Sequence, residues 1–340
     1  MYLSATGADP QVCAFPRVVG DIGGTNARFA LQAVQGGPLE QVQKFACKDF
    51  PSFSAALTRY RTDLGHAVRA GAFGIANPVT GPDLRMTNHP WAFSIESVRA
   101  EQGLEALLFL NDFTALSLGL GRIRREGLTQ IGGGMGDPHA PLAILGPGTG
   151  LGVSGLIPSA DHGPHIPISG EGGHVSLAAG SDEEAALLAL IRATFGHVSA
   201  ERVLSGAGLV LLHNTIQKRT VGAQGLPVLP VLTDPSSVLE AAAQHDRLAL
   251  ATVRQFCQFL ASVAGDLALT LGARGGVYLA GGISPRIQSY LLEPAFRARF
   301  EAKGRFQSYL SHIPIWLIND SLEPALMGAS EALSRQWLRS

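Results

Sequence analysis

Apolar stretches along this 340-residue chain alternate with glycine-rich breaks, and two of those breaks are alike. Val18-Val19-Gly20 runs into Asp21-Ile22-Gly23-Gly24-Thr25-Asn26-Ala27-Arg28 and out through Phe29-Ala30-Leu31. Leu142-Ala143-Ile144-Leu145 runs into Gly146-Pro147-Gly148-Thr149-Gly150-Leu151-Gly152 and out through Val153-Ser154-Gly155-Leu156. Apolar runs on both sides of a glycine turn predict strand, tight turn, strand in each place. Residues 43–46 are expected to add a third strand to the first hairpin.

Phe53, Ala56, Leu57, Tyr60 and Leu64 recur at helical spacing, so a helix is expected over 52–64, ending at Gly65. Residues 71–76 read as a buried strand stopped by Asn77-Pro78, and Ser94 as the cap of a short helix through Val98. Leu107 to Leu110 is a strand entering Asn111-Asp112, with a helix over 113–120. Helices then dominate: 181–195, 200–204, 209–216, 236–244 and 248–271. Residues 220–232 carry Gly and Pro without periodicity and are expected to be an exposed loop. A strand over 276–280 enters Gly281-Gly282, and a helix follows Ser284-Pro285. A strand over 313–318 and a helix over 322–337 close the chain. Hairpins and helices mixed in two halves predict an α/β fold of two lobes.

Composition narrows the function. A chain of this length, 46% hydrophobic, can bury a large core and divide into about two domains. A net charge of −1 leaves no basic field for nucleic acid or an anionic membrane. The four lysines are Lys44, Lys48, Lys218 and Lys303; none follows a glycine as a Walker A loop requires, which excludes a P-loop NTPase. Cys13, Cys47 and Cys257 are scattered, forming neither a disulfide framework nor a paired metal motif, and suit a reducing compartment. The N-terminus lacks the pattern of a secretory signal. Arg254, Gln255, Gln258 and Asp266 mark 248–271 as a buried helix rather than a membrane span. A soluble, cytoplasmic protein is expected. Gly150, Gly152 and Gly155 match the dinucleotide pattern G-x-G-x-x-G, but there the glycines open a helix, whereas here a strand continues. A nicotinamide dehydrogenase is not expected.

Glycines and a hydroxyl at a tight turn let several backbone N–H groups point into one concavity, which suits phosphate oxygens. Either turn alone is equally an ordinary hairpin. The pair, with Asp21 at the mouth of one and Thr149 inside the other, points to a nucleotide held between two similar halves. Each remaining candidate has a plain structural reading beside the chemical one. Asp21 could start a turn, but a carboxylate ending a buried strand is costly without a partner. Asp112 suits both a helix N-cap and a general base. Glu171 and His174 are either a solvated loop or a diol grip, since a carboxylate accepts two hydroxyls and an imidazole adds one contact. Glu201 reads as a first-turn helix acid after Ser199. Asn88 reads as a turn residue, and Gly281-Gly282 as a strand-ending turn.

The order of these segments resembles the actin-like ATPase superfamily, of ribonuclease H-like fold, whose members build each lobe from a mixed sheet flanked by helices. The first hairpin, 109–120, the second hairpin, 278–284 and a helix near 324–330 stand where its phosphate, connecting and adenosine elements stand. Within it the chain is similar to the bacterial glucokinase family. The first hairpin run, Met86-Thr87-Asn88-His89-Pro90-Trp91-Ala92-Phe93-Ser94, Leu110-Asn111-Asp112-Phe113-Thr114-Ala115, Gly148-Thr149-Gly150-Leu151-Gly152, Gly170-Glu171-Gly172-Gly173-His174, 196–206 and Leu279-Ala280-Gly281-Gly282-Ile283 carry the likeness, from about Val18 to Met327. Asn77, the extension before Arg17 and the 220–232 loop depart from the family pattern.

The resemblance implies ATP-dependent phosphorylation of glucose at its 6-hydroxyl, the first step of glycolysis. It implies that Gly23, Gly24, Thr25, Asn26 and Arg28, with Gly148, Thr149 and Gly150, hold the phosphates of ATP. Gly281 and Gly282 then receive the adenosine, and Asp21 holds Mg²⁺ through water. Asp112 takes the proton of the sugar hydroxyl, and Asn88, Asn111, Asp112, Glu171, His174 and Glu201 bind the sugar. A homodimer is implied, with a small lobe over 16–121 plus 319–340, a large lobe over 122–318 and an extension over 1–15. Related repressors and kinases of the ROK type follow their Glu-Gly-Gly-His turn with a cysteine-rich zinc cluster; here only Cys257 follows, so no structural zinc is expected. The alternatives are a kinase for mannose, fructose or an N-acetyl-hexosamine, a non-catalytic sugar sensor, and a filament-forming ATPase. The sixteen residues before the first expected strand are too few for a sensor's helix-turn-helix.

Overall fold

A computed structural model describes residues 1–5, 15–65, 67–159, 165–224, 232–320 and 322–337. Cys13 lies outside the described residues. The chain forms two compact units, one of Met1–Arg125, Ser159–Ser169 and Asp320–Ser340, the other of Glu126–Pro158 and Gly170–Asn319.

The sheet of the first unit runs Tyr2–Ala5, Ala106–Asn111, Ala70–Ile75, Arg17–Ile22, Asn26–Gln32, Glu40–Ala46. Arg17–Ile22, Ala70–Ile75 and Ala106–Asn111 are parallel neighbours, while the hairpin and the strand beyond it are antiparallel. One face packs on the helix Phe53–Leu64, where Phe53, Ala56, Leu57 and Tyr60 are fully buried as their spacing predicts. Ser52 caps that helix by accepting from the Ala55 amide, and Gly65 ends it at φ 65°. Phe29, Phe53, Phe73 and Phe109 interlock there, most of them edge to face, with centroids between 5.1 and 6.1 Å apart. Against the opposite face, the fully buried Arg17 donates to the Ser330 carbonyl and hydroxyl and to the Ser334 hydroxyl at 2.8–3.1 Å. These bonds tie the C-terminal helix Leu322–Trp337 to the sheet.

Tyr2–Ala5 has no turn signal before it and is not foreseen from the sequence. It covers the edge of Ala106–Asn111 in antiparallel register, with Tyr2 opposite Phe109. Tyr2 Oη donates to Glu96 at 2.7 Å, and Arg99 to the Ser4 hydroxyl at 2.8 Å.

In the second unit five strands run Leu151–Ile157, Leu142–Pro147, Gly276–Leu279, Ile315–Ile318, Leu128–Ile131. The hairpin is antiparallel, the next two pairings are parallel, and the last is antiparallel. Five of the first unit's six strands are repeated here: an edge strand first in sequence, then a hairpin, then two parallel strands. Leu151–Ile157 continues the second hairpin as a strand, so the dinucleotide pattern there is accidental.

The helix Arg247–Leu271 is long and apolar enough to cross a membrane, yet 61% of its most apolar window is buried in the fold. Phe256, Phe259 and Leu260 on it are fully buried. One expectation is corrected: the helix Gly206–Gln224 carries through Thr220, so 220–224 is helix rather than loop. Thr220 returns its hydroxyl to the Ile216 carbonyl at 2.9 Å, and a single glycine at 222 does not break a helix. Residues 225–231 lie outside the described residues. The short helices Pro294–Glu301 and Gln307–Ser311 also escape a periodicity argument, being under three turns long.

Candidate active site

In the first unit the hairpin tip closes through a Gly23 N–H to Asn26 carbonyl bond of 3.0 Å. Cys47 braces it from beneath: its amide donates to the Thr25 carbonyl at 2.9 Å and its thiol to the Gly23 carbonyl at 3.3 Å. Burial pushes that thiol pKa up, so Sγ keeps the proton it donates. Asp21 and Arg28 are direct cross-strand partners and form an ion pair of 3.1 Å. The Asp21 side chain keeps 25% of its surface exposed, but its carboxyl lies deep enough that desolvation pushes its pKa up. Arg28 acts in the opposite direction without cancelling it.

Register carries this row further. Asp21 pairs with Gly74 on one side, and Arg28 with Lys44 on the other. A Cβ on Gly74 would lie 3.4 Å from Asp112 Cα and 3.3 Å from Ala115 Cβ. The bare glycine thus lets the start of the helix Asp112–Gly119 sit against the sheet beside Asp21. The helix cap is Asn111, not Asp112: Asn111 Oδ1 accepts from the Phe113 and Thr114 amides at 3.0 and 3.1 Å. Asp112 is the first helical residue, and its Oδ1 accepts from the Phe113 amide at 2.9 Å. Asn88 packs on the hairpin, where a Cβ on Gly24 would lie 3.0 Å from both Asn88 Cβ and its carbonyl oxygen. Asp21, Gly23, Gly24, Thr25, Asn26, Arg28, Asn88, Asn111 and Asp112 therefore gather at one end of this sheet.

In the second unit the hairpin tip closes through Gly148 N–H to the Gly150 carbonyl at 2.8 Å, leaving Thr149 exposed. Gly281, at φ 81°, and the turn around it pack main chain to main chain on this hairpin. The Ala280 amide donates to Leu145 at 2.9 Å and the Ile283 amide to Pro147 at 3.1 Å, with Gly282 exposed beside them. Glu201, near the start of the helix Ala200–Val203, accepts from the Leu151 amide through Oε2 at 2.9 Å. Its Oε1 lies 3.9 Å from His174 Nε2. Glu171 precedes the tight turn Gly172–His174, and its carbonyl accepts from the His174 amide at 3.0 Å. Gly148, Thr149, Gly150, Glu171, His174, Glu201, Gly281 and Gly282 thus share one region of this unit.

The glucokinase family model matches residues 18–336. A glucokinase of Aromatoleum aromaticum is 49% identical over 328 residues, covering 95% of this chain and 97% of that protein. The chain belongs to the glucokinase family. The crystal structure of a glucokinase from an Antarctic psychrotroph superposes with a TM-score of 0.81 at 34% identity, covering 94% of this chain and 99% of that one. A ROK family glucokinase of Streptomyces griseus, crystallised with glucose and AMPPNP, shares the fold at a TM-score of 0.63 and 20% identity, covering 95% and 100%. The two-lobed actin-like α/β architecture expected from the sequence is the one found.

For a member of the glucokinase family the donor set is informative. Among the described residues no group of three or more His, Cys, Asp or Glu is arranged around a metal. A single desolvated carboxylate, Asp21, suits Mg²⁺, which keeps several waters and takes further oxygens from phosphate. Sequence reasoning missed Gly74 and Cys47. A glycine inside a buried strand, between Phe73 and Ile75, was the signal for the first; nothing local marks the second.

Proposed function

We propose that the chain transfers the γ-phosphoryl group of ATP to the 6-hydroxyl of glucose. Membership of the glucokinase family supports the activity. The observation that supports the chemical reading is the seating of the Asp112 backbone against Gly74, the register neighbour of Asp21, which brings this residue beside the first hairpin.

In this reading glucose O6 attacks the γ-phosphorus, its proton passes to the Asp112 carboxylate, and the bond to the β-phosphate oxygen breaks to release ADP. The Phe113 amide fixes the orientation of that carboxylate. Asn111 spends its carbonyl oxygen on the helix cap and turns its amide NH₂ to a sugar hydroxyl. Glu171, His174 and Glu201 take further hydroxyls, with Asn88 as a lesser contact. Amides at 23–26 and 148–150, with Thr25, Asn26, Arg28 and Thr149, hold the phosphates, and Gly281-Gly282 receives the adenosine. Mg²⁺, held by Asp21 through water, supplies charge neutralisation on the phosphates.

The two units serve as the two lobes of the enzyme. The family resemblance supports a homodimer, and the scattered cysteines a cytoplasmic one; a monomeric mass by sedimentation would remove the dimer. The assay that tests the activity supplies purified chain, Mg-ATP and a panel of hexoses, with the product identified by phosphate position. Glucose 6-phosphate is expected; preference for fructose, mannose or an N-acetyl-hexosamine, or ATP turnover independent of sugar, would overturn the reading.

A further inference from the structure

Glu201 enters the account as a sugar ligand, but its hydrogen bond goes to the second phosphate hairpin. Oε2 holds the Leu151 amide at 2.9 Å, and a Cβ on Gly150 would stand only 2.4 Å from the same oxygen. The hairpin backbone is therefore packed directly against this carboxylate, which keeps 33% of its side-chain surface exposed. Leu151 is a junction. Its amide meets Glu201, while its carbonyl oxygen would lie 2.2 Å from a Cβ on Gly173, in the turn between Glu171 and His174. Main-chain bonds complete the block: Ala200 N–H to the Val175 carbonyl at 2.8 Å and Gly206 N–H to the Gly148 carbonyl at 2.8 Å.

We propose that Glu201 is a positioning residue for the nucleotide: by holding the Leu151 amide it sets the shape of the hairpin that receives phosphate, so one side chain serves both substrates. This rests on the phosphate-binding reading of that hairpin given above. A sugar hydroxyl bonded to Glu201 immobilises the carboxylate and with it the hairpin, so the nucleotide binds with part of its ordering cost already met. The two substrates then bind cooperatively without any change of fold. By linkage the same factor applies to both, about tenfold for a coupling of ordinary size.

The deciding measurement is the affinity of Mg-AMPPNP in the absence of any sugar. A residue that only contacts glucose cannot affect it. Glu201→Ala is expected to weaken sugar-free AMPPNP binding about three- to tenfold, because a buried amide loses its charged acceptor. Glu201→Gln keeps an oxygen for Leu151 and is expected to restore that affinity while glucose still binds more weakly. His174→Ala, which reaches the sugar but not the hairpin, is expected to weaken glucose binding alone. Should Glu201→Ala fail to melt cooperatively, Glu201→Asp retracts the carboxylate by one methylene and is expected to show the same loss. Unchanged sugar-free AMPPNP affinity in folded Glu201→Ala or Glu201→Asp overturns the proposal. A wild-type chain that binds no AMPPNP would instead remove the phosphate reading itself, and this inference with it.

Discussion

The two sheets share a strand order, yet their hairpins carry opposite kinds of residue at the same place. In the first, the cross-strand pair one step before the last is Asp21 with Arg28. In the second, the corresponding pair is Gly146 with Gly152. The neighbouring parallel strand differs to match. Beside Asp21 stands Gly74, whose bare backbone accommodates Asp112. Beside Gly146 the chain turns at Ala280, whose carbonyl carbon would lie 2.5 Å from any Cβ on Gly146. One copy of the motif is opened for charged side chains and the other is closed main chain on main chain. The second unit then acquires its charge from outside the hairpin, through Glu201, Glu171 and His174. In the function proposed above, the repeated topology separates two tasks: proton and metal chemistry on the first sheet, and most of the polyol recognition beside the second.

The sharpest way to break this division is Asp112→Ala. Loss of a general base lowers turnover by about 10²–10⁴, and a near-normal kcat in a steady-state assay would dismiss Asp112 as the base. Next in size is sugar discrimination. Glu171 and Glu201, carboxylates that each need hydroxyl partners, should penalise 2-deoxyglucose and mannose, by about tenfold at least and up to ~10⁴ in kcat/KM. Equal kcat/KM for glucose and both analogues would mean that the second unit does not read the 2-position.

Smaller effects sharpen the comparison. Gly74→Ala introduces a methyl at 3.3 Å from Ala115 and 3.4 Å from Asp112. The helix start must give by a few tenths of an ångström, so kcat is expected to fall about tenfold with the ATP KM little changed, as displaced catalytic groups behave. A variant with wild-type kcat would show that Asp112 tolerates the shift. The smallest effect is on stability. The folded-state pKa of Asp21 is raised by burial from its ordinary 3.8, so the folded chain holds that proton more tightly than the unfolded one. Its ionisation therefore costs stability, and the cost grows as pH rises from 3.8 through the raised value. Asp21→Asn removes the cost: its melting temperature should match wild type at acid pH and exceed it by about 1–3 °C at neutral pH, while turnover falls. A lower melting temperature at neutral pH would mean that the Arg28 ion pair outweighs desolvation.

Much of this was readable along the chain because the signals are local. Ser52, Ser94 and Ser181 cap the helices whose starts they mark. Both hairpins, the long core helix and the strand entering Asn111-Asp112 follow from apolar runs and glycine turns. What was not readable depends on contacts distant in sequence. The strand Tyr2–Ala5 exists because Ala106–Asn111 offers an edge, and its own four residues say little. Cap and base could not be told apart at Asp112, since an aspartate at a helix start suits both; the fold gives the cap to Asn111. The bond from Leu151 to Glu201 spans fifty residues of sequence, and Cys47 beneath the first hairpin has no motif around it.

The division of labour is tested most directly by titrating glucose into Asp112→Ala in a calorimeter. If sugar recognition resides with Glu171, His174 and Glu201, the dissociation constant stays within about tenfold of wild type, the cost of one hydrogen bond. Abolished glucose binding in a variant that still folds would contradict the account, because Asp112 would then be an anchor for the sugar rather than the acceptor of its proton.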